Sequence, residues 1–430
     1  MSRTLDYTQL SSDELQKLNT ELTEVYETCR SKAFNLDLTR GKPAADQLDL
    51  SNDLDGILGG FYLLQDGTDV RNYGGLLGIP EARQLGAEML DTRAEQILVG
   101  GNSSLNLMHT YIDFMLQSCW RNEALETGQA LKFLCPVPGY DRHFTICEYF
   151  GIEMIAVPLN GSGPDMDEVE RLIAADPMIK GIWCVPKYSN PTGESYDSAT
   201  VKRFAQLGKI AGKDFRIMWD NAYAVHHLTD EPDKLDNLMA EAESVGTDDS
   251  VAIFGSTSKV TFAGAGISFI GLSLANLARF EKYLGNSTIG YDKVNQLRHV
   301  RFLVDAAGIK AHMEKHRELI EPKFEAVLTA LDEQLAGTEI AEWSRPHGGY
   351  FISLNTRPGL AGKIVQLAGD IGVKLTPAGA TYPYGNDPKD ENIRIAPTYP
   401  TTASLSLAVE VLITCIKLAS VRQLLGIDNE

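Results

Sequence analysis

From about Glu95 to Phe254 the chain alternates short apolar runs with helical stretches, and no other feature constrains its fold as strongly. The runs are Ile97–Val99, Leu131–Cys135, Met154–Val157, Gly181–Val185, Phe215–Trp219 and Val251–Phe254. Between them lie segments such as Leu105, Met108, Ile112 and Met115, spaced to line one helix face. Strand and helix repeating in this way predict an α/β core around a mostly parallel sheet. Ligands of such sheets lie beyond the C-terminal ends of the strands.

The flanks read differently. The first 35 residues predict an amphipathic helix, with Ser12 or Asp13 as N-cap and Leu15, Leu18, Leu22 and Val25 at helical spacing. Gly41 and Pro43 break that pattern. Toward the other end, a long helix from roughly Ala311 to Leu335 leads into "HGGYFISL", "GVKLTPAGATYPYG" and "ENIRIAP", then an apolar helix. At 430 residues the chain is long enough for two domains. The expected division is a large domain over 56–305 and a smaller α+β domain from 1–55 together with 306–430.

Composition removes several function classes. Lysine and arginine number 39 against 58 aspartates and glutamates, a net charge of −19, and no basic block occurs. A nucleic-acid partner, which needs a cationic face, is not expected. The six cysteines are scattered without a CxxC pair, so neither a metal site nor a disulfide framework is expected, and a reducing cytoplasm fits. The start, "MSRTLDYTQLSSDELQKL", has no basic and apolar leader pattern. No apolar run is read as approaching a membrane span.

The strand ends carry the chemistry. Val99 is followed by "GGNSS", Cys135 by "PVPGYDRH", Val185 by "PKYSNPTG", Trp219 by "DNAYAVHH" and Phe254 by "GSTSK". Taken singly these are ordinary: "GGNSS" is a loop and helix cap, "NPTG" a turn, and Lys259 a solvated lysine at a strand end. In order, at successive strand ends, they bring a helix start, an aromatic ring, an amide, a carboxylate and a lysine to one rim.

With "SNPTG", "DNAY" and "STSK" in that order and spacing, the chain resembles the class I, fold-type I pyridoxal-phosphate-dependent aminotransferases, most closely a divergent branch of the aspartate aminotransferases. The resemblance runs from "LTRGKP" to "IRIAP". It implies pyridoxal 5'-phosphate as cofactor and Lys259 as the lysine that forms a Schiff base with it and moves the substrate proton. It implies Asp220 as the carboxylate that keeps the cofactor ring nitrogen protonated, with His143 supporting it. Tyr140 would stack on the ring, and Asn190 and Tyr223 would hydrogen-bond its phenolic oxygen. Gly101, Asn102, Ser103, Ser256 and Ser258 would form the phosphate cup, completed by Tyr73 from a neighbouring subunit of a homodimer. Arg394 would grip the substrate α-carboxylate, with the Gly41 backbone and Asn190 beside it.

One departure stands out. Most family members carry a phosphate-binding arginine about eight residues past the lysine, whereas "AGAGIS" here places Ile267 and Ser268 in that window. The phosphate is therefore expected to rest on neutral donors and a helix N-terminus. No motif marks the cation for a distal substrate carboxylate; Arg40 is the first choice, with Lys293 and Arg298 as alternatives. The expected reaction is transamination between aspartate and 2-oxoglutarate. An aminotransferase of neutral or aromatic amino acids, a β-lyase using the same cofactor, and a non-catalytic ligand sensor remain as alternatives.

Overall fold

The computed structural model describes residues 6–427; residues 1–5 and 428–430, part of the expected small domain, lie outside the described residues. The chain forms two compact units, one from 45–189 and 194–317, the other from 1–44, 190–193 and 318–430. The divisions fall at 44/45 and 317/318 rather than at 55/56 and 305/306. A four-residue piece at 190–193, placed by sequence inside the large domain, also joins the smaller unit.

The larger unit is built on a seven-stranded sheet. Its strands are β1 (Ile97–Val99), β2 (Lys132–Val137), β3 (Glu153–Pro158), β4 (Ile179–Cys184), β5 (Arg216–Asp220), β6 (Val251–Ser256) and β7 (Ser268–Leu272). The order is β1-β7-β6-β5-β4-β2-β3. All six apolar runs read from the sequence are strands. The seventh, β7, was not anticipated: it enters antiparallel between β1 and β6, pairing Val99 with Phe269 and Ser256 with Ser268. It opens with Ser268 directly after the glycine-rich "AGAGI" and carries Gly271, which hid its strand character. Ile267 and Ser268 are buried there, at 1% and 0% exposure, so that window belongs to the sheet interior.

Strands buried on both faces read as continuous apolar runs, because helices cover each side. The exceptions on β4 and β5 are charges with partners. Lys180 is wholly buried on β4 and donates to Glu123 at 2.6 Å and to the Lys213 carbonyl at 3.1 Å. Arg216 on β5 donates to the Tyr111 hydroxyl and the Phe215 carbonyl.

The smaller unit holds an antiparallel sheet in the order Asn392–Ile395, Ile352–Thr356, Ala341–Trp343, and a short parallel pair, Leu36–Asp37 with Val373–Lys374. The first helix, Ser12–Arg30, is capped by Ser11 through a capping box with Glu14 rather than by Ser12 or Asp13. Its apolar stripe is Leu15, Leu22 and Tyr26; Val25 points out at 47% exposure, and Tyr26 donates instead to the Leu367 carbonyl. The long helix begins at Ala306, five residues ahead of expectation, because the Asp305 carboxylate accepts from the Gly308 amide and anchors its first turn. The terminal helix Thr402–Leu424 corrects the reading that no apolar run is membrane-length. Among the described residues it alone is long and apolar enough to cross a membrane, and most of it is buried, packed against Ser12–Arg30 and Ala361–Ile371.

Glu123→Ala would strand the Lys180 ammonium in the sheet layer. Breaking a buried pair costs about 3 kcal/mol or more, so the urea midpoint of this variant is expected to fall well below that of Lys180→Met. Equal midpoints would contradict the pairing.

Candidate active site

In the larger unit the sheet delivers the predicted residues to the ends of adjacent strands. Asp220 is the last residue of β5 and pairs in register with Phe254 on β6, two residues before the strand ends at Ser256. It is 2% exposed. One carboxylate oxygen, Oδ2, lies 3.1 Å from His143 Nε2, while Oδ1 is buried with no hydrogen-bond partner among the described residues. His143 is itself 2% exposed, and its ring lies flat on Trp183 with centroids 4.3 Å apart and planes 8° from parallel. Tyr140, the residue just before the helix Asp141–Phe150, meets the His143 ring edge-on at 5.0 Å.

Lys259 follows β6 in a tight turn. Its Nζ sits 4.9 Å from the ring centroid of Tyr223, which is 3% exposed. Burial lowers the amine below the ordinary lysine range, and the negative charge of Asp220 opposes that shift without cancelling it. The amine is thus easier to deprotonate than a surface lysine.

A loop and a helix start lie alongside. Gly101, Asn102 and Ser103 lead into the helix Ser104–Met115, and the Ser103 side chain makes no capping bond to it. The Ser258 hydroxyl donates to the Asn102 carbonyl at 2.6 Å, and the Asn102 amide donates to the Gly264 carbonyl at 3.3 Å. Ser256 is buried, and its hydroxyl accepts from the Ser258 amide at 3.4 Å. Gly100 admits no side chain, since a Cβ would come within 2.8 Å of Ser268 Oγ. Tyr73 is 85% exposed.

The smaller unit gathers a second set. Arg394, on the central residues of Asn392–Ile395, is 8% exposed. Its guanidinium donates to Asn190 Oδ1 and Thr376 Oγ1, each at 3.3 Å, and lies 4.9 Å over the Phe351 ring. Gly41 touches the same ring: a Cβ there would fall 2.2 Å from Phe351 Cζ. Thr376 in turn donates to the Thr39 carbonyl at 3.4 Å, which ties the "LTRG" segment to Arg394.

Phe351 and Thr376 were not singled out from sequence. Their signals were only adjacency, in "HGGYF" and "KLTPAGA", beside motifs already noted. Arg40 is exposed, one residue from Gly41. Lys293 is not available as a substrate cation: it is 7% exposed and donates to the carbonyls of Asn72, at 2.6 Å, and Gly74, on either side of Tyr73.

The family model described as aspartate amino-transferase matches residues 10–428. An aspartate aminotransferase of Corynebacterium glutamicum is 43% identical over 426 residues, covering 96% of this chain and 98% of that protein. The crystal structure of an aspartate transaminase from the same species superposes with a TM-score of 0.94 at 42% identity, over 98% of this chain and 100% of that one. Aspartate aminotransferase from Thermus thermophilus, solved with maleate, shares the fold with a TM-score of 0.68 at 18% identity, over 96% and 100% of the two chains.

Gly41→Ala should push the Phe351 ring, and with it the stacked Arg394, out of place. Overpacking of this kind costs about 1–3 kcal/mol. The urea midpoint of this variant is expected to fall accordingly, while that of Gly264→Ala, where a Cβ meets open space, stays unchanged. An unaltered midpoint in Gly41→Ala would contradict the contact.

Proposed function

The chain belongs to the aspartate aminotransferase family of fold-type I pyridoxal-phosphate enzymes, and from that premise we propose that it transfers the amino group between aspartate and 2-oxoglutarate. It is a pyridoxal-phosphate-dependent aminotransferase. The choice of a dicarboxylic pair is supported by the C. glutamicum aspartate aminotransferase at 43% identity.

The residues fit the implied cofactor. The observation that carries this is Asp220 Oδ1, a buried carboxylate oxygen with no partner, which suits a protonated ring nitrogen and little else. Bound pyridoxal phosphate supplies an aldehyde that condenses with amines and a ring that draws electrons from the substrate Cα. Asp220, oriented by His143, would hold the proton on that ring nitrogen. The ring face would pack against Tyr140. Tyr223 and Asn190 would donate to the phenolic oxygen. Gly101, Asn102, Ser103 and Ser256 would hold the phosphate with amide and hydroxyl donors at the helix start. Ser258, whose proton is engaged by Asn102, would act by closing that loop.

Lys259 does the proton work. Its depressed pKa leaves more of the amine neutral at neutral pH, so Nζ would hold the cofactor's aldehyde carbon and would serve as the base for the proton on the substrate Cα. Arg394 offers a planar fork to the α-carboxylate, a pairing that a lysine would not reproduce. Arg40 is proposed for the distal carboxylate, which needs a cation because a buried unpaired charge is costly.

We also propose a homodimer in which the partner subunit's Tyr73 completes the phosphate cup. Its 85% exposure and the anchoring of its loop by Lys293 support this. A reducing cytoplasmic setting is part of the same proposal: Cys135, Cys147, Cys184 and Cys415 are buried thiols that pack as small apolar side chains.

Borohydride reduction of the loaded enzyme is expected to leave a pyridoxyl label on Lys259, and Lys259→Ala to abolish turnover; a label on another lysine refutes the assignment. Asp220→Ala is expected to retain cofactor but lose turnover by about 4 kcal/mol of barrier. Near-normal rates in that variant would mean that another group serves the ring nitrogen.

Substrate choice has its own test. Arg40→Ala should raise KM for aspartate and 2-oxoglutarate much more than for alanine, as read from initial rates on each donor. Equal losses on acidic and neutral donors would remove Arg40 from the specificity role, and a wild type without preference for dicarboxylates would overturn the aspartate reading.

A further inference from the structure

Four buried histidines converge on the turn that carries Lys259. The turn runs from Thr257 to Thr261, where the Val260 and Thr261 amides both donate to the Thr257 carbonyl, at 2.9 and 2.8 Å. A single helical turn that stops leaves its last carbonyls without intrahelical donors, and buried carbonyls need partners. His312 Nε2 lies 2.7 Å and His316 Nε2 2.9 Å from the Val260 carbonyl oxygen. His226 Nε2 lies 3.4 Å from the Lys259 carbonyl, and His299 Nε2 2.9 Å from the Thr261 hydroxyl. Exposure is 0% for His299 and His316, 3% for His226 and 6% for His312.

The partners assign the tautomers. His312 Nε2 also lies 3.2 Å from His316 Nε2 and 3.3 Å from the Ser51 hydroxyl, but its nearest neighbour is the Val260 carbonyl at 2.7 Å, and a carbonyl oxygen only accepts, so the nitrogens facing Val260 are assigned the protons. Gln47 Nε2 approaches His316 Nδ1 at 3.2 Å as a donor, which requires that nitrogen to be bare. His299 donates from Nδ1 to the Asn295 carbonyl at 2.9 Å and so accepts from Thr261 on its other side. Burial pushes His299 and His316 down to about 4 and lowers His312 and His226 as well. These rings are therefore neutral donors at neutral pH. Lysine or arginine could cap the same carbonyls, but each would bury another cation beside a lysine that must itself lose a proton.

We propose that His312, His316 and His226 are positioning residues for Lys259: neutral hydrogen-bond donors that hold the Lys259 and Val260 carbonyls and so fix the direction in which the lysine amine leaves the backbone. This rests on the reading of Lys259 as the cofactor-linked lysine. His312 and His316 can share one carbonyl because they stand four residues apart on one face of the helix Ala306–Leu335. The carbonyl's two lone pairs accommodate both. The Asp220 end of the site is held by His143 from the helix Asp141–Phe150, so the lysine and the carboxylate have separate supports.

The test compares His312→Phe and His316→Phe with His316→Gln, whose amide can still donate. In cofactor-free protein, hydrogen exchange of the Phe254–Phe262 segment is expected to rise about tenfold in the Phe variants, with exchange of β2 and β4 unchanged, because the opening is local. In loaded enzyme, the pH midpoint of the visible absorption band is expected to move by about one unit. Turnover should fall about tenfold, with KM for the amino donor within about twofold. His316→Gln should recover most of both.

Wild-type exchange, midpoint and kcat in the Phe variants would overturn the proposal, as would exchange that rises evenly through the whole unit. Should the Phe variants fail to fold, Gln47→Leu decides, since it removes the bond to His316 Nδ1 that sets that tautomer. The same local rise in exchange is expected there, and its absence overturns the proposal. A wild type with no visible band and no label on Lys259 refutes the reading of the lysine and this proposal with it. A labelled wild type with unaffected variants refutes the histidine supports alone.

Discussion

A carboxylate taken out of water and left with one open oxygen is the constraint around which the large-unit site is organised. An ionised carboxylate in such a place is costly unless it is bonded or meets a cation. Among the described residues Asp220 has His143 on Oδ2 and no donor on Oδ1. The His143 ring is stacked on the Trp183 indole, so the arrangement cannot relax by swinging the imidazole away. Oδ1 is thus kept for a donor, and the same negative charge tempers the burial-driven fall in the Lys259 pKa. One buried charge thus sets the electrostatics of both chemical groups, each delivered by the neighbouring strands β5 and β6.

The small unit solves a different problem, how to keep an arginine buried yet ready for a ligand. Arg394 rests on the Phe351 face and on two oxygens at 3.3 Å, contacts long enough to be exchanged for a carboxylate. Gly41 is required because the aromatic ring occupies the space a side chain would fill. Gly41 lies more than 300 residues before the aromatic and the arginine in the chain, and the Thr376 to Thr39 bond stitches the two segments together.

Much of this was legible in the sequence, for identifiable reasons. The parallel strands inside the sheet are buried on both faces and so read as plain apolar runs, unlike the edge strand β3, and Lys259, Asp220, Asn190 and Tyr223 stand at fixed offsets after them. What escaped notice depends on tertiary context. β7 is short and antiparallel and begins within a glycine-rich segment, so neither alternation nor length exposed it. Tyr26 replaced Val25 on the first helix because the packing partner, not the period, chose the buried position. The histidines around Lys259 come from three distant segments, and an isolated histidine gives no local sign of which carbonyl it will meet. Lys293 looked like a substrate cation until its carbonyl partners around Tyr73 were seen. The compact units divide at the start of the helix Ala45–Asp49 and inside the helix Ala306–Leu335, where composition does not change and so gives no sign of a boundary.

The central claim is that Asp220 Oδ1 exists to keep a proton on the cofactor ring. Nitrogen-15 NMR of the enzyme reconstituted with ring-labelled pyridoxal phosphate tests it most directly. The account predicts the chemical shift of a protonated ring nitrogen across the neutral pH range, changing to that of the unprotonated ring in Asp220→Asn. An unprotonated ring in the wild type, or a shift indifferent to that substitution, would contradict it.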